Sequence, residues 1–144
     1  MKVSIYQLIS FFIILLFSLI FSWQDIKAQK IKVWLLWLSI LCAFICQLIC
    51  MRRDVWIYIF TGLLAGLFYF IIRKISKDRL GLADVWFGIF QGLFLPPLLL
   101  PFCFAIESAA ALLLNKKISR ERFAFIPYMS FGLILSYVIY LISY

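Results

Sequence analysis

The sequence predicts an all-α protein, a polytopic membrane bundle of about six transmembrane helices. Hydrophobic residues make up 67% of the 144 residues and charged residues only 14%, whereas about a quarter of the residues in a soluble domain are charged. The apolar residues also form long runs, which short clusters of lysine and arginine separate. Because a hydrocarbon core about 30 Å thick takes roughly 20 helical residues to cross, we interpret the runs as membrane spans. They form one predicted domain, residues 1–144.

Each predicted span is an apolar run bounded by charged residues or by proline. In chain order the spans are residues 5–23, 33–50, 55–72, 82–95, 98–114 and 125–143. The first run has no clear small-residue cleavage site after it, so we expect a retained helix rather than a secretory signal. Pro96 and Pro97 divide residues 82–114, which would otherwise form an overlong helix. The third and fourth spans each carry a Gly-x-x-x-Gly spacing, which lets helix backbones approach closely in lipid.

The distribution of basic residues predicts the orientation of the bundle. The loops after the first, third and fifth spans contain eleven lysines and arginines, and the opposite side contains three. The eleven are Lys27, Lys30, Lys32, Arg73, Lys74, Lys77, Arg79, Lys116, Lys117, Arg120 and Arg122, and the three are Lys2, Arg52 and Arg53. Loops rich in lysine and arginine stay in the cytoplasm. We therefore expect a cell (inner) membrane protein with both termini outside.

Composition excludes several classes of function. The net charge of +8 lies in loop clusters rather than on a basic face, so we expect the lipid bilayer, and not nucleic acid, as a partner. Histidine is absent, which excludes a Ser-His-Asp triad, a Cys-His pair and a histidine-bearing zinc motif. The four cysteines form no Cys-x-x-Cys pair and are expected to be small apolar side chains in packed helices. We predict no cofactor and no metal.

Two of the six acidic residues are candidates for chemistry. Asp25 closes the first span and Asp84 lies in the opening turn of the fourth, so the topology predicts both carboxylates at one depth on the cytoplasmic side. The alternative is a pair of unrelated interfacial acids. The three that lie among basic loop residues are expected to be solvated ion-pair partners, and they are Asp54, Asp78 and Glu121.

Paired carboxylates can hydrolyse a peptide bond without a metal or a histidine. Two close acids share one proton, so that the ionised member activates a water while the protonated member polarises the carbonyl. The helix ends favour Asp84, near a helix N-terminus, as the anion and Asp25, near a C-terminus, as the acid.

Glu107 is the remaining acid, in the middle of the fifth span. A carboxyl group in lipid either hydrogen-bonds to a polar neighbour, here Gln91 or Gln47, or takes part in proton relay or transport. Both interpretations stay open at the level of sequence.

Three segments together resemble the prepilin peptidases, the type IV leader peptidases and preflagellin peptidases, which are membrane aspartyl proteases. Asp25-Ile26-Lys27-Ala28-Gln29-Lys30-Ile31 is similar to the segment around their first aspartate, and Gly81-Leu82-Ala83-Asp84 is similar to their Gly-x-Gly-Asp motif. Residues 126–132, Ile-Pro-Tyr-Met-Ser-Phe-Gly, resemble the segment before their last helix. The likeness covers most of the chain, in the family's short form without the cytosolic four-cysteine module.

The resemblance implies an aspartic endopeptidase of type IV pilus or protein secretion systems. It would remove a short leader from a prepilin-like protein with an N-terminal apolar helix, with Asp25 and Asp84 catalytic and Gly81 and Ala83 supporting the second motif. The chain departs from the family at Ala83, at Trp86 and after Ile31, where Lys-Val replaces Pro-Asn. Methyl transfer and the oligomeric state stay open.

Two alternatives remain beside the peptidase interpretation. One is a non-enzymatic membrane protein, a small transporter or assembly subunit, in which the two aspartates bind ions or pair with lysines. The other is a divergent relative with another substrate, such as the helix of a different membrane protein.

Overall fold

The part of the chain that the structure describes is all-α and contains no strand, and six α-helices follow one another along it. The computed structural model describes residues 4–28, 30–50, 54–77, 79–114 and 124–143. The helices are α1 (Ile5–Ala28), α2 (Val33–Cys50), α3 (Val55–Ile75), α4 (Leu82–Gly92), α5 (Leu100–Leu114) and α6 (Ile126–Ser143). The predicted number and order of helices are confirmed, whereas Asp78 and Glu121 lie outside the described residues.

Four helices, α1, α2, α3 and α6, are long and apolar enough to cross a membrane, with lengths of 24, 18, 21 and 18 residues. α4 and α5 have only 11 and 15 residues, which correspond to about 16 and 22 Å of helix. α4 ends and α5 begins at the segment between them, where Pro96 disfavours a helical conformation for the residue before it. The chain is therefore a membrane-embedded helical protein in which two helices are shorter than the bilayer core.

Consecutive helices run antiparallel, so their ends gather at two faces of the bundle. α1, α3 and α5 end at the same face where α2, α4 and α6 begin. We call this face the aspartate end, because it contains the last turn of α1 with Asp25 and the first turn of α4 with Asp84. Two hydrogen bonds show that α1 and α6 are antiparallel. The Ser22 hydroxyl donates to Ser130 Oγ over 3.0 Å near the aspartate end, and Tyr137 Oη donates to the Gln7 carbonyl over 3.3 Å near the opposite end.

Glycines bring α3 and α4 into close contact, as the Gly-x-x-x-Gly spacings predict. A Cβ atom placed on Gly92 would lie 2.7 Å from the Cα of Gly62 and 2.5 Å from the carbonyl oxygen of Thr61. At Gly88 the same atom would overlap the ring of Tyr69. Only residues without a side chain allow the two backbones to pack at this distance, so α4 lies directly against α3.

Aromatic side chains fill the centre of the bundle, and its outside is apolar. Phe21, Phe87 and Phe90 are fully buried. Large aliphatic side chains such as Leu19 and Leu67 are more than half exposed on the outer surface. An apolar exterior around a packed apolar interior fits a protein whose solvent is lipid.

Candidate functional site

Two pairs of aromatic rings between α1 and α4, Phe17–Phe90 and Phe21–Phe87, place Asp25 and Asp84 at the same end of the bundle. We call these two pairs the aromatic ladder. The rings of Phe17 and Phe90 are 5.9 Å apart between centroids, and so are those of Phe21 and Phe87. Asp25 follows Phe21 by four residues on α1, and Asp84 precedes Phe87 by three on α4. Because each residue adds about 1.5 Å along a helix, both aspartates lie about 5 Å beyond the Phe21–Phe87 pair. The two aspartates therefore lie at about the same depth along the bundle, as the topology predicts.

The first turn of α4 holds the carboxylate of Asp84. Gly81 is the N-cap of the helix, and its backbone N–H donates to Asp84 Oδ2 over 2.7 Å. This is the half of a capping box in which an acidic side chain at the third helical position reaches back to the N-cap. Asp84 is only 6% exposed, which makes it the more enclosed of the two aspartates.

Asp25 lies inside α1 rather than after it, because the helix continues to Ala28. Its Oδ2 accepts a hydrogen bond of 3.1 Å from the backbone N–H of Ile126, the first residue of α6. The side chain therefore lies at the N-terminus of another helix, where the dipole favours negative charge. The assignment of Asp25 as the acid rests on the C-terminus of α1, whose last turn contains Asp25, and the N-terminus of α6 acts in the opposite direction. Both carboxylates accept hydrogen bonds at helix N-termini.

Gly81 and Ala83 have different roles beside Asp84. The backbone of Gly81 is extended, with φ −69° and ψ 156°, so its conformation does not need glycine. A Cβ atom there would, however, lie 3.2 Å from Asp84 Oδ2. Ala83 is the second residue of the helix, a position that alanine suits well. Backbone geometry therefore does not require a glycine at position 83.

A cavity lies beside the residues that precede the two backbone donors, and neither aspartate lines it. Its volume is about 280 Å³, and its lining includes Leu80, which precedes Gly81, and Phe125, which precedes Ile126. We call it the aspartate-end cavity. The remaining lining residues come from α3, α5 and the segment before α4, and they are Phe68, Tyr69, Ile72, Ser76, Arg79, Phe104, Glu107 and Ser108. It is large enough for a side chain or small ligand next to the candidate site.

Glu107 lines this cavity and is only 1% exposed. Tyr69 Oη donates to its Oε2, Gln91 Nε2 donates to Oε1 over 2.5 Å, and Cys103 Sγ donates to Oε1 over 3.2 Å. We call these four residues the Glu107 cluster. The predicted hydrogen bond to Gln91 is confirmed. The alternative partner, Gln47, lines a separate cavity of about 270 Å³ near the opposite end of the bundle.

Sequence reasoning missed two members of this cluster and the amide that holds Asp25. Tyr69 could have been found, because a tyrosine hydroxyl within an apolar helix needs a hydrogen-bond partner. Cys103 could have been found from its position one turn before Glu107 on the same helix face. The contact of Asp25 with Ile126 joins residues 101 positions apart, and no local signal predicts it.

Cysteine and metal chemistry gain no support from the described residues. Cys42, Cys46, Cys50 and Cys103 are free thiols, and Cys46 and Ser10 share a hydrogen bond of 3.3 Å. Within the described ranges, no three Cys, Asp or Glu side chains form a group that could hold a metal ion.

Comparisons with protein-family profiles, curated proteins and solved structures found no match to this chain. The class that the fold defines is a membrane-embedded, all-α protein with four helices of spanning length.

Proposed function

We propose that the chain is a membrane aspartyl endopeptidase that cleaves the leader of type IV prepilin-like proteins. The observation that supports the proposal is the aromatic ladder, because its ring contacts set the last turn of α1, with Asp25, and the first turn of α4, with Asp84, at one end of the bundle. The motif resemblance around both aspartates supports the substrate class. In this proposal the aspartate end faces the cytoplasm, since seven of its described residues are lysine or arginine and basic loops stay inside. The seven are Lys27, Lys30, Lys32, Arg73, Lys74, Lys77 and Arg79.

The mechanism uses the two carboxyl groups and one water. One carboxylate accepts a proton from the water, and the water oxygen attacks the carbonyl carbon of the scissile bond. The other carboxyl group, which is protonated, donates a hydrogen bond to the carbonyl oxygen as negative charge develops there. The proton then passes to the leaving nitrogen as the C–N bond breaks. The hydrogen bonds from Gly81 and Ile126 keep both side chains in place throughout.

The membrane location fits a substrate with an apolar helix. Such a helix would lie in the bilayer beside α1 and α4, which brings the peptide bond just before it to the depth of the aspartates. Recognition would rest on that apolar segment and on the backbone of the peptide.

A second candidate function is non-enzymatic, as a small transporter or assembly subunit. It is favoured by the hydrogen bonds themselves, because Asp84 caps α4 and Asp25 accepts from the first amide of α6. In that case each carboxylate stabilises a helix end and needs no substrate.

Asparagine substitutions separate the two functions. Asparagine accepts the same backbone hydrogen bonds as aspartate but cannot exchange the proton. We expect Asp25→Asn and Asp84→Asn each to lower cleavage of a co-expressed prepilin by at least about a hundredfold, with little change in thermal unfolding. Cleavage is measured by the mobility shift of the substrate, and unfolding in detergent is the control. Equal processing by the wild type and both variants would overturn the peptidase function.

A further inference from the structure

The cavity near the end of the bundle opposite the aspartates has a polar and uncharged lining. Its volume is about 270 Å³, and α1, α2, α3 and α6 all contribute to its wall. The lining includes the hydroxyl groups of Ser10, Tyr58 and Tyr137 and the amides of Gln7 and Gln47. None of the lining residues that the structure describes carries a charge. We call it the Gln47 cavity.

The side-chain amide of Gln47 is the polar group of this wall that lacks a partner. Gln47 is only 4% exposed, and its Oε1 has no hydrogen-bond partner among the described residues. Two other polar groups of the wall are paired: Ser10 Oγ shares a hydrogen bond of 3.3 Å with Cys46 Sγ, and Tyr137 Oη donates to the Gln7 carbonyl. A buried polar atom without a partner costs free energy, so a guest that bonds to Gln47 would recover it.

The chemistry of the amide selects the kind of guest. A glutamine side chain presents an acceptor and a donor side by side. A second primary amide is complementary, because its N–H can donate to Oε1 of Gln47 while its carbonyl oxygen accepts from Nε2. A trans secondary amide cannot form both bonds, since its N–H and C=O point in opposite directions. An ion is disfavoured, because a buried charge needs an opposite charge close by.

We propose that the Gln47 cavity binds a neutral molecule with a primary amide group. The amide pairs with Gln47, and the carbon chain lies against the rings of Phe94 and Tyr137, which also line the cavity. Since a water takes up about 30 Å³ in the liquid, a volume of about 270 Å³ leaves room for a small organic molecule. Ser4 lines the cavity and is exposed, so the guest can enter from that end of the bundle. The site does not require the chain to be a peptidase.

The test compares three molecules of similar size and shape. Butyramide, methyl propyl ketone and butyrate are titrated into the full chain in detergent, with saturation-transfer NMR and thermal unfolding as readouts and protein-free micelles as the baseline. The ketone has a methyl group in place of the NH₂ group, and butyrate is charged. Butyramide is expected to raise Tm and to bind about tenfold more tightly than the ketone, which cannot donate to Oε1 of Gln47.

A leucine substitution tests the role of Gln47 itself. Gln47→Leu is expected to lower the affinity for butyramide about tenfold and to leave that for the ketone unchanged, whereas a general disturbance of the cavity would weaken both. Gln24→Leu is the matched control at the aspartate end, and it should bind butyramide like the wild type. If Gln47→Leu does not fold, the comparison of amide and ketone in the wild type still decides.

Three results would overturn the proposal. The absence of butyramide binding would mean that the cavity holds water alone. Equal binding of the amide and the ketone, or tighter binding of butyrate, would show that the amide group is not recognised. Undiminished and amide-selective binding in Gln47→Leu would place the guest elsewhere.

A peptide arm identifies the source of the amide. Capped asparagine and capped aspartate are compared in the same titration, because they differ only in the side-chain group. Selective binding of the asparagine derivative supports a site for a protein side chain. Binding of butyramide alone supports a site for a free amide.

Discussion

At the residue scale, the position of the Asp84 carboxylate depends on the small size of Gly81, the N-cap of α4. Any side chain at position 81 would add an atom 3.2 Å from Asp84 Oδ2, although the backbone there suits any residue. Position 83 lies within the helix, where a side chain points away from the backbone and alanine is favourable. The two positions of the motif should therefore respond differently to substitution.

We expect Gly81→Ala to lower cleavage of a prepilin substrate several-fold, because the added methyl group displaces the Asp84 carboxylate. Ala83→Gly should keep or raise the activity, at a helix-stability cost of no more than about 1 kcal/mol. Initial cleavage rates check both, with thermal unfolding as the control for folding. An active Gly81→Ala variant beside an inactive Ala83→Gly variant would show that position 83 carries the constraint.

The sequence predicted the positions of the acids in their helices more readily than it predicted their neighbours. Asp84 and its position in the first turn of α4 follow from local patterns, and so does the Gln91 partner of Glu107. The surroundings of Asp25 do not, because its hydrogen bond comes from α6. A dipole argument drawn from one helix is incomplete where a second helix begins at the same point.

At the scale of elements, the closeness of α3 and α4 rests on Gly92. Its added Cβ would lie within 2.7 Å of backbone atoms of α3, so the helices would have to separate. At Gly62 the nearest atoms are 3.2 Å away and include the flexible side chain of Leu93. An added methyl group at Gly62 can therefore be accommodated more easily than one at Gly92.

We predict that Gly92→Ala destabilises the protein by about 1–3 kcal/mol and that Gly62→Ala costs less. Thermal or denaturant unfolding in detergent measures both, and Gly62→Ala is the matched control on the facing helix. Equal losses of stability would contradict the difference in packing. Because Asp84 lies on α4, Gly92→Ala should also reduce any cleavage activity.

Helix boundaries show the limit of hydropathy as a predictor. The first span was expected to end at residue 23, but α1 continues to Ala28. Hydropathy marks where lipid ends, and a helix continues into water when its residues are good helix formers, as Lys27 and Ala28 are. The fourth span was expected to reach residue 95, and α4 ends at Gly92, because glycine and the following prolines interrupt the helix before the apolar run stops.

At the scale of the whole molecule, orientation in the bilayer can be tested directly. Ser4 and Ala28 are both exposed and lie near opposite ends of α1. With the four native cysteines replaced, an impermeant maleimide should label Ser4→Cys in intact spheroplasts. It should label Ala28→Cys only after the membrane is opened. The reverse pattern would put the aspartate end outside.

Contacts between α1 and α6 along their whole length have a consequence for connectivity. Tyr137 reaches Gln7 near the end of the bundle opposite the aspartates, so the start of the first helix and the finish of the last are neighbours. A short linker could join them there, and new termini could be opened between α2 and α3 at the same face. Every helix of such a circular permutant would keep its original direction. We expect it to insert, to fold and to unfold near the wild-type Tm, which thermal unfolding in detergent would check.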